Sequence, residues 1–459
     1  MKIGLILGGL ALGGMAVVMG QVEATALPGG DEGGVAAGAD VIVGAIPNYS
    51  KYGSVVQGAD TIMAYSFGST SCNIGTQQLD WVAGTNQHPV IPQNVYRIKN
   101  GRIQQVGMSW CKHGFCALQQ TLCGSCQPAG AGCPSLLGIG CSDPYDSSLN
   151  GDQSGLGPRS QINASTGNFP YPWSAPSAPA VIGRRVQVNK NDFDPALNSG
   201  AVYVAECQYV HPDDAAAGNG DNNASFRTFT IGSFTSGAYS LTLTGSTIQQ
   251  KSAITHWKTV QPTVTVQKIT VPGDGTFYVA YDVTAIAGGW HYEYAFYNLN
   301  SDRSGAGMTF QNVFPWMGVS NKTFIDIAYH SGEPYNSIDW GWSNLGGNLT
   351  CACTETFAAN PNANALRWAT LYNIAFDSTR PPVTGSGSIS LFKTGSPGSV
   401  SFTAKVPDPG ILGDYNYDGH VDGADLGYGI AQWGTAGGDL NGDNITDGAD
   451  LGLIIANWG

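Results

Sequence analysis

Apolar and polar positions alternate in short runs through the second half of the chain. Residues 239–243, 262–271 and 277–283 each read as a strand. In 291–297, Tyr292, Tyr294 and Phe296 share one face at period two. Trp368, Thr370, Tyr372, Ile374 and Phe376 do the same across 367–376, which favours strand over helix there. Residues 388–392 and 399–404 add two more runs. Gly, Ser, Asn and Pro divide these segments, while Thr, Tyr and Val fill them. The pattern predicts a mainly β protein with an antiparallel β-sandwich-like body over 201–406.

The N-terminus is patterned differently. Lys2 opens a short positive region, an apolar run covers 3–19, and Ala24-Thr25-Ala26 has the small-x-small form of a cleavage site. A signal peptide over 1–26 is expected, followed by a Gly- and Ala-rich flexible leader over 27–45. A membrane anchor is the alternative, weakened by the short run and by Gly13-Gly14. No second apolar stretch of ~18 residues occurs. The expected chain is secreted, extracellular or at the cell surface, and not membrane-spanning.

An oxidising compartment changes how the cysteines read. Six of the ten, Cys111, Cys116, Cys123, Cys126, Cys133 and Cys141, crowd one Gly- and Pro-rich window of a Cys-rich region over 46–200. Six cysteines allow 15 connectivities, so no pairing is assigned. Two readings stand: an irregular region stapled by disulfides, or a metal site built from Cys123 and Cys126 with Cys111, Cys116 or His113.

Composition removes further classes. With 20 Lys plus Arg against 33 Asp plus Glu, the net charge is −13, and no basic cluster is evident to bind nucleic acid. Nucleophile-elbow, zinc-protease and phosphate-loop motifs are absent. Two stretches hold catalytic candidates. The first is Glu293 beside aromatics, followed by Asp302. The second runs from Glu333 to Asp339-Trp340-Gly341-Trp342. Paired acids across a cleft would make a glycoside hydrolase, and a polysaccharide lyase is the other enzymatic option. Trp340 and Trp342 fit either sugar stacking or packing, and Tyr292 and Tyr294 fit sheet core.

The C-terminus is the most informative segment. Residues 414–434 and 439–459 repeat at an offset of 25, with 13 of 21 positions identical. Each copy places oxygen donors at positions 1, 3, 5, 9 and 12 of a loop. These are Asp414, Asn416, Asp418, Asp422 and Asp425, then Asp439, Asn441, Asp443, Asp447 and Asp450. Position 7 would add a backbone carbonyl, from His420 and Ile445. This is the layout of a 12-residue calcium loop, because a hard cation takes six to eight oxygens. Gly419 makes the turn in the first loop and Asn444 in the second, so the first is the closer match. Each loop leads into a short amphipathic helix. Leu426, Ile430 and Trp433 share one face, Leu451, Ile455 and Trp458 another, and the two faces are expected to pack together. A core this thin implies that two Ca2+ ions supply much of the folding free energy. Residues 407–410 read as a stiff linker before the module at 411–459.

This module resembles a type I dockerin. The resemblance covers 411–459 and implies docking to a cohesin-like partner, typically within polysaccharide-degrading systems. Positions 10 and 11, where that family often carries a Ser/Thr-type pair, are Gly423-Ala424 and Gly448-Ala449. The calcium pattern is intact, but the partner-recognition pair is altered. The rest of the chain resembles uncharacterised secreted bacterial proteins. Two functions follow as expectations. One is a dockerin-bearing enzyme or carbohydrate-binding accessory of an extracellular polysaccharide-degrading system. The other is a non-enzymatic extracellular or cell-surface structural protein with a calcium-stapled cap. Charge fits either: residues 411–459 hold eight Asp and no Lys or Arg, so most of the −13 lies there.

Overall fold

In the computed structural model, residues 37–330 and 332–459 are described. The expected signal peptide lies outside them. The strand-patterned runs do form strands, in antiparallel sheets throughout.

The first half builds an eight-stranded sheet. Its order is Ala238–Ile248, Ala224–Thr235, Val202–Gln208, Gln93–Lys99, Arg102–Met108, Val186–Asn189, Asp60–Phe67 and Tyr49–Gln57. Tyr65, Phe67, Trp81, Tyr203 and Phe229 fill the core on one face. This sheet corrects the expected division at 200/201. Val202–Gln208 pairs with Gln93–Lys99 on one side and Ala224–Thr235 on the other. Backbone hydrogen bonding therefore runs straight through the expected boundary, and the sandwich begins after residue 248.

The sandwich has two five-stranded sheets. One runs Thr265–Thr270, Thr276–Ile286, Gly289–Asn298, Thr370–Ser378, Ser320–Ile325. The other runs Gly341–Leu345, Asn348–Ala352, Gly305–Gln311, Pro382–Leu391, Ser399–Pro407. Tyr292, Tyr294, Phe296, Tyr372 and Phe376 of the first meet Met308, Phe310, Leu349, Ile389 and Phe402 of the second. Tyr292 and Tyr294 are sheet core, as their period-two face predicts. The first sheet is buried on its other side as well. There Ala280, Ala295, Tyr297 and Leu371 pack on Tyr96, Ile98, Ile103 and Val204 of the eight-stranded sheet. That interface also hides a polar knot. Glu206 accepts hydrogen bonds from Asn94 Nδ2 (3.1 Å), Tyr96 OH (2.9 Å), Tyr297 OH (2.9 Å) and the Ala253 amide (2.6 Å).

Two N-terminal expectations are corrected. The flexible leader does not reach residue 45, because Val41–Ala45 pairs with Ser69–Asn73 and Val41 and Val43 are fully buried. A β-branched run inside Gly-rich flanks is enough to hold that strand. The cysteine window is stapled as Cys72–Cys123, Cys116–Cys133 and Cys126–Cys141. The metal alternative fails, since Cys116, Cys123 and Cys126 are spent in disulfides, while Cys111 is buried and free.

The C-terminal module has helices Gly423–Ala431 and Gly448–Ala456. Their expected packing faces are used only in part: Leu426 and Leu451 are half-buried against the core, but the isoleucines and tryptophans are not. Ile430 and Trp433 are 54% and 57% exposed, and Ile455 and Trp458 are 60% and 52% exposed. The contact centres on Gly429 and the fully buried Ile454, with Leu451 beside them. A Cβ on Gly429 would lie 2.8 Å from Ile454 Cδ1. These are equivalent positions of the repeat, one a hole and the other its knob. Nor do residues 407–410 hold the module apart. Pro407 ends a strand, the Asp408 amide donates to the Pro381 carbonyl, and Tyr415, Val421, Leu440 and Ile454 join the sandwich core.

Candidate functional site

The two Asp-rich loops fold alike. In the first, Asp425 Oδ1 accepts from the Tyr415 amide (2.8 Å) and its Oδ2 from the Asp422 amide (3.0 Å). In the second, Asp450 Oδ1 accepts from the Leu440 amide (2.7 Å) and its Oδ2 from the Asp447 amide (2.8 Å). Asp422 and Asp447 each close a capping box at the N-terminus of the following helix. Position 12 is thus tied back to the amides of positions 2 and 9 of its own loop, which curls the loop around its acids. Asp414 Oδ2 accepts from the Gly419 amide (3.0 Å), and Asp439 Oδ2 from the Asn444 amide (2.8 Å). Both turn residues take positive φ, 91° at Gly419 and 71° at Asn444, so Asn tolerates the turn that glycine makes in the other copy.

Metal-binding capacity follows from distances. Asp439, Asp443 and Asp450 each offer an oxygen within 4.8 Å of the others. Two oxygens on one Ca2+ at 2.3–2.6 Å are at most about 5 Å apart, so the triad fits a calcium ion. Asn441 and the Ile445 carbonyl would complete the set by position. The second loop, not the first, is the group that converges among the described residues. The better turn residue was a poor guide to which loop closes more tightly. Asn416, Asp418, His420 and Asp422 occupy the matching places in the first loop.

A second candidate site lies where two sheets meet. Arg97, Lys99, Asn100, Arg102, Gln104, His291 and Glu293 line a recess of about 250 Å³. Arg97 and Lys99 fall two apart on one strand; Lys99 faces Arg102, and Arg97 faces Gln104, across a hairpin. Asn100 and Gly101 turn that hairpin with φ of 51° and 77°, the two positive values of a type I′ turn. From the other side, Arg102 Nη2 donates to Glu293 Oε2 at 2.5 Å. His291 sits between Glu293 (3.4 Å) and Asp377 (2.6 Å). Its hydrogen bond to Glu293, aided by Asp377, raises its pKa against the opposing effect of burial.

The four acid candidates are not brought around one cleft. Glu293 lines the recess. Asp302 is paired with Lys393 at 2.8 Å. Glu333 accepts from the Arg159 (2.7 Å) and Ser160 (3.1 Å) amides, and burial raises its pKa. Asp339 lines none of the described cavities. Trp340 is buried against Phe324, with ring centres 5.1 Å apart, which makes it packing and not a sugar platform. The basic hairpin face was missed in the sequence. Its signal was Arg97-Ile-Lys99-Asn100-Gly101-Arg102: an Asn-Gly turn flanked by alternating cations and apolar residues.

No known family pattern matches the chain, and no curated protein does. Among solved structures, one titled as manganese lipoxygenase of Gaeumannomyces graminis with partial zonadhesin of Komagataella pastoris is similar at 9% identity and a TM-score of 0.19, over 75% of this chain and 88% of that one. Two domains of a biofilm associated protein follow. The BSP domain matches at 9% and 0.17 over 93% and 68%, and the B domain at 8% and 0.16 over 92% and 97%. Likenesses this slight establish no common fold.

Proposed function

We propose that this is a secreted, dockerin-bearing subunit of an extracellular polysaccharide-degrading system, acting as an enzyme or a carbohydrate-binding accessory. Its C-terminal module would bind two Ca2+ ions and dock a cohesin-like partner. The observation that carries the reading is the duplicated loop, each copy tied by its position-12 Asp into a capping box, with Asp439, Asp443 and Asp450 converging. The exposed pairs Ile430/Ile455 and Trp433/Trp458 support docking, since repeat-related apolar residues left uncovered suit a partner surface. Three disulfides support secretion. Calcium titration of the chelated full chain by calorimetry, with circular dichroism in parallel, tests the reading. Two bound ions and a gain in helix signal are expected. Unchanged spectra and no binding heat would overturn it.

A second reading, a structural extracellular protein with a calcium-stapled cap, draws on one observation. The Arg380 Nη2 group donates to the carbonyls of Asp414 and Tyr415, both at 2.9 Å, so the module is fastened to its own sandwich. Calcium binding with no partner captured by the exposed Trp pair would favour it.

A further inference from the structure

The recess between the basic hairpin and the strand Gly289–Asn298 has an uncommon charge layout. Four of its seven lining groups are Arg97, Lys99, Arg102 and His291, and Glu293 is the one acid among them. The protein around it carries −13, with only 20 Lys and Arg in 459 residues. Lys99 and Arg102 stand directly opposite each other across the hairpin, a like-charge pairing that normally destabilises a sheet. Two further acids hold lining cations without lining the recess themselves. Asp192 holds Arg97 at 2.9 Å, and Asp377 holds His291 at 2.6 Å. Among the described residues Lys99 pairs with no carboxylate; it donates to the Leu197 carbonyl and to Asn198 Oδ1. Arg102 commits one amino group to Glu293. Within the recess Glu293 takes one amino group of Arg102 and lies 3.4 Å from His291, so the cations outnumber the single acid that lines it and Lys99 is left without a carboxylate among the described residues.

From this geometry we infer that the recess binds the anionic group of an acidic sugar unit, a uronate carboxylate or a sulfate ester. Guanidinium forks and an ammonium are the donors that such oxyanions take. The amides of Asn100 and Gln104 suit the ring hydroxyls beside the charge. The lining is mostly polar and contains no aromatic ring other than His291, so a stacked nucleobase is disfavoured. A volume of about 250 Å³ suits one sugar unit and not a long chain segment. The inference rests on the reading of the protein as part of a polysaccharide-acting system and narrows its substrate to acidic polymers.

Calorimetry on the full disulfide-bonded chain tests it, with trigalacturonate, glucose 6-sulfate and neutral maltotriose as probes. Trigalacturonate or glucose 6-sulfate should bind, more weakly as salt rises, and maltotriose should not enter this site. Lys99→Gln should weaken binding about tenfold, and Arg102→Gln should do so as well, with thermal melts confirming that both variants fold. Which anionic probe binds more tightly separates uronate from sulfate recognition. Binding of maltotriose alone, or Lys99→Gln and Arg102→Gln both equal to the parent, would overturn the inference while leaving the carbohydrate role standing. Absence of binding by all three probes would also overturn it. Repeating the titration with Asp450→Ala separates the two proposals: acidic-sugar binding should persist when calcium binding at the second loop is lost.

Discussion

Buried ionisable groups pull the stability of this protein in opposite directions as pH changes. Asp143 is buried, with Oδ1 accepting from the Leu118 amide at 2.8 Å and Oδ2 making no hydrogen bond among the described residues. Burial pushes its pKa up to about 7. Between about pH 4 and 7 the folded chain then binds this proton more than the unfolded chain does, so stability falls as pH rises through that window. Asp143→Asn keeps the acceptor and removes the buried charge, while burying an amide N–H that has no partner among the described residues. Its effect on stability should be more favourable at pH 8 than at pH 5. Melting curves at the two pH values check this, and an effect independent of pH would contradict it. The His88–His113 pair acts with the opposite sign. His88 Nε2 and His113 Nδ1 are 3.0 Å apart, so one donates and the other must remain unprotonated. Burial lowers His88 to about 4 and His113 to about 3. The unfolded chain takes up these protons first, below about pH 6.5, and stability is lost as pH falls from there toward 4. In Asp143→Asn, where the acid no longer offsets the histidines, melting temperature should drop more steeply between pH 6.5 and 4.5 than in the parent.

At the level of elements, the C-terminal helices show what a repeat can and cannot reveal. The equivalence of the two loops was legible, because their acid spacing is local and both fold into the same capping box. The helix contact was not. Leu426, Ile430 and Trp433 make a convincing stripe, yet Gly429 opens the hole that Ile454 fills, and that choice depends on a partner 25 residues away. The buried and exposed isoleucines should therefore behave differently. Ile454→Ala should cost about 2–5 kcal/mol, as for a buried aliphatic side chain, whereas Ile455→Ala should change stability by no more than ~0.5 kcal/mol. Denaturant unfolding in saturating calcium distinguishes them. The strands were legible for a similar reason. Period-two faces such as Tyr292, Tyr294 and Phe296 are local, and they point into the sandwich. The recess was not legible, since it joins Lys99 to Glu293, nearly two hundred residues apart, through a hydrogen bond from Arg102.

Across the whole molecule, the division into regions was the least readable feature, because sheet order is set by long-range pairing. Val202–Gln208 belongs between strands from both sides of the expected boundary. The same applies to the module, which joins the sandwich through Tyr415, Val421, Leu440 and Ile454 and is fastened further by one cation. Arg380 is 2% exposed, stacks over Trp316 at 5.1 Å and Tyr417 at 4.1 Å, and donates to two carbonyls of the first loop. Asp414, whose carbonyl is one of the two, also supplies position 1 of that loop. On the proposed calcium reading, ion binding and sandwich contact would meet at this one residue and should reinforce each other. Arg380→Ala would leave the Asp414 and Tyr415 carbonyls without these charge-assisted hydrogen bonds, each worth about 1.5–3 kcal/mol. We expect the variant to retain the sandwich fold and to lose the fixed seat of the module. In limited proteolysis the parent should resist cleavage near 408–411 with calcium present, and Arg380→Ala should be cut there even in calcium. If fastening and metal are linked, first-loop affinity should also fall in the variant while the second loop keeps its own. Equal loss at both loops would instead mean that the module had unfolded, and helix content by circular dichroism would record it.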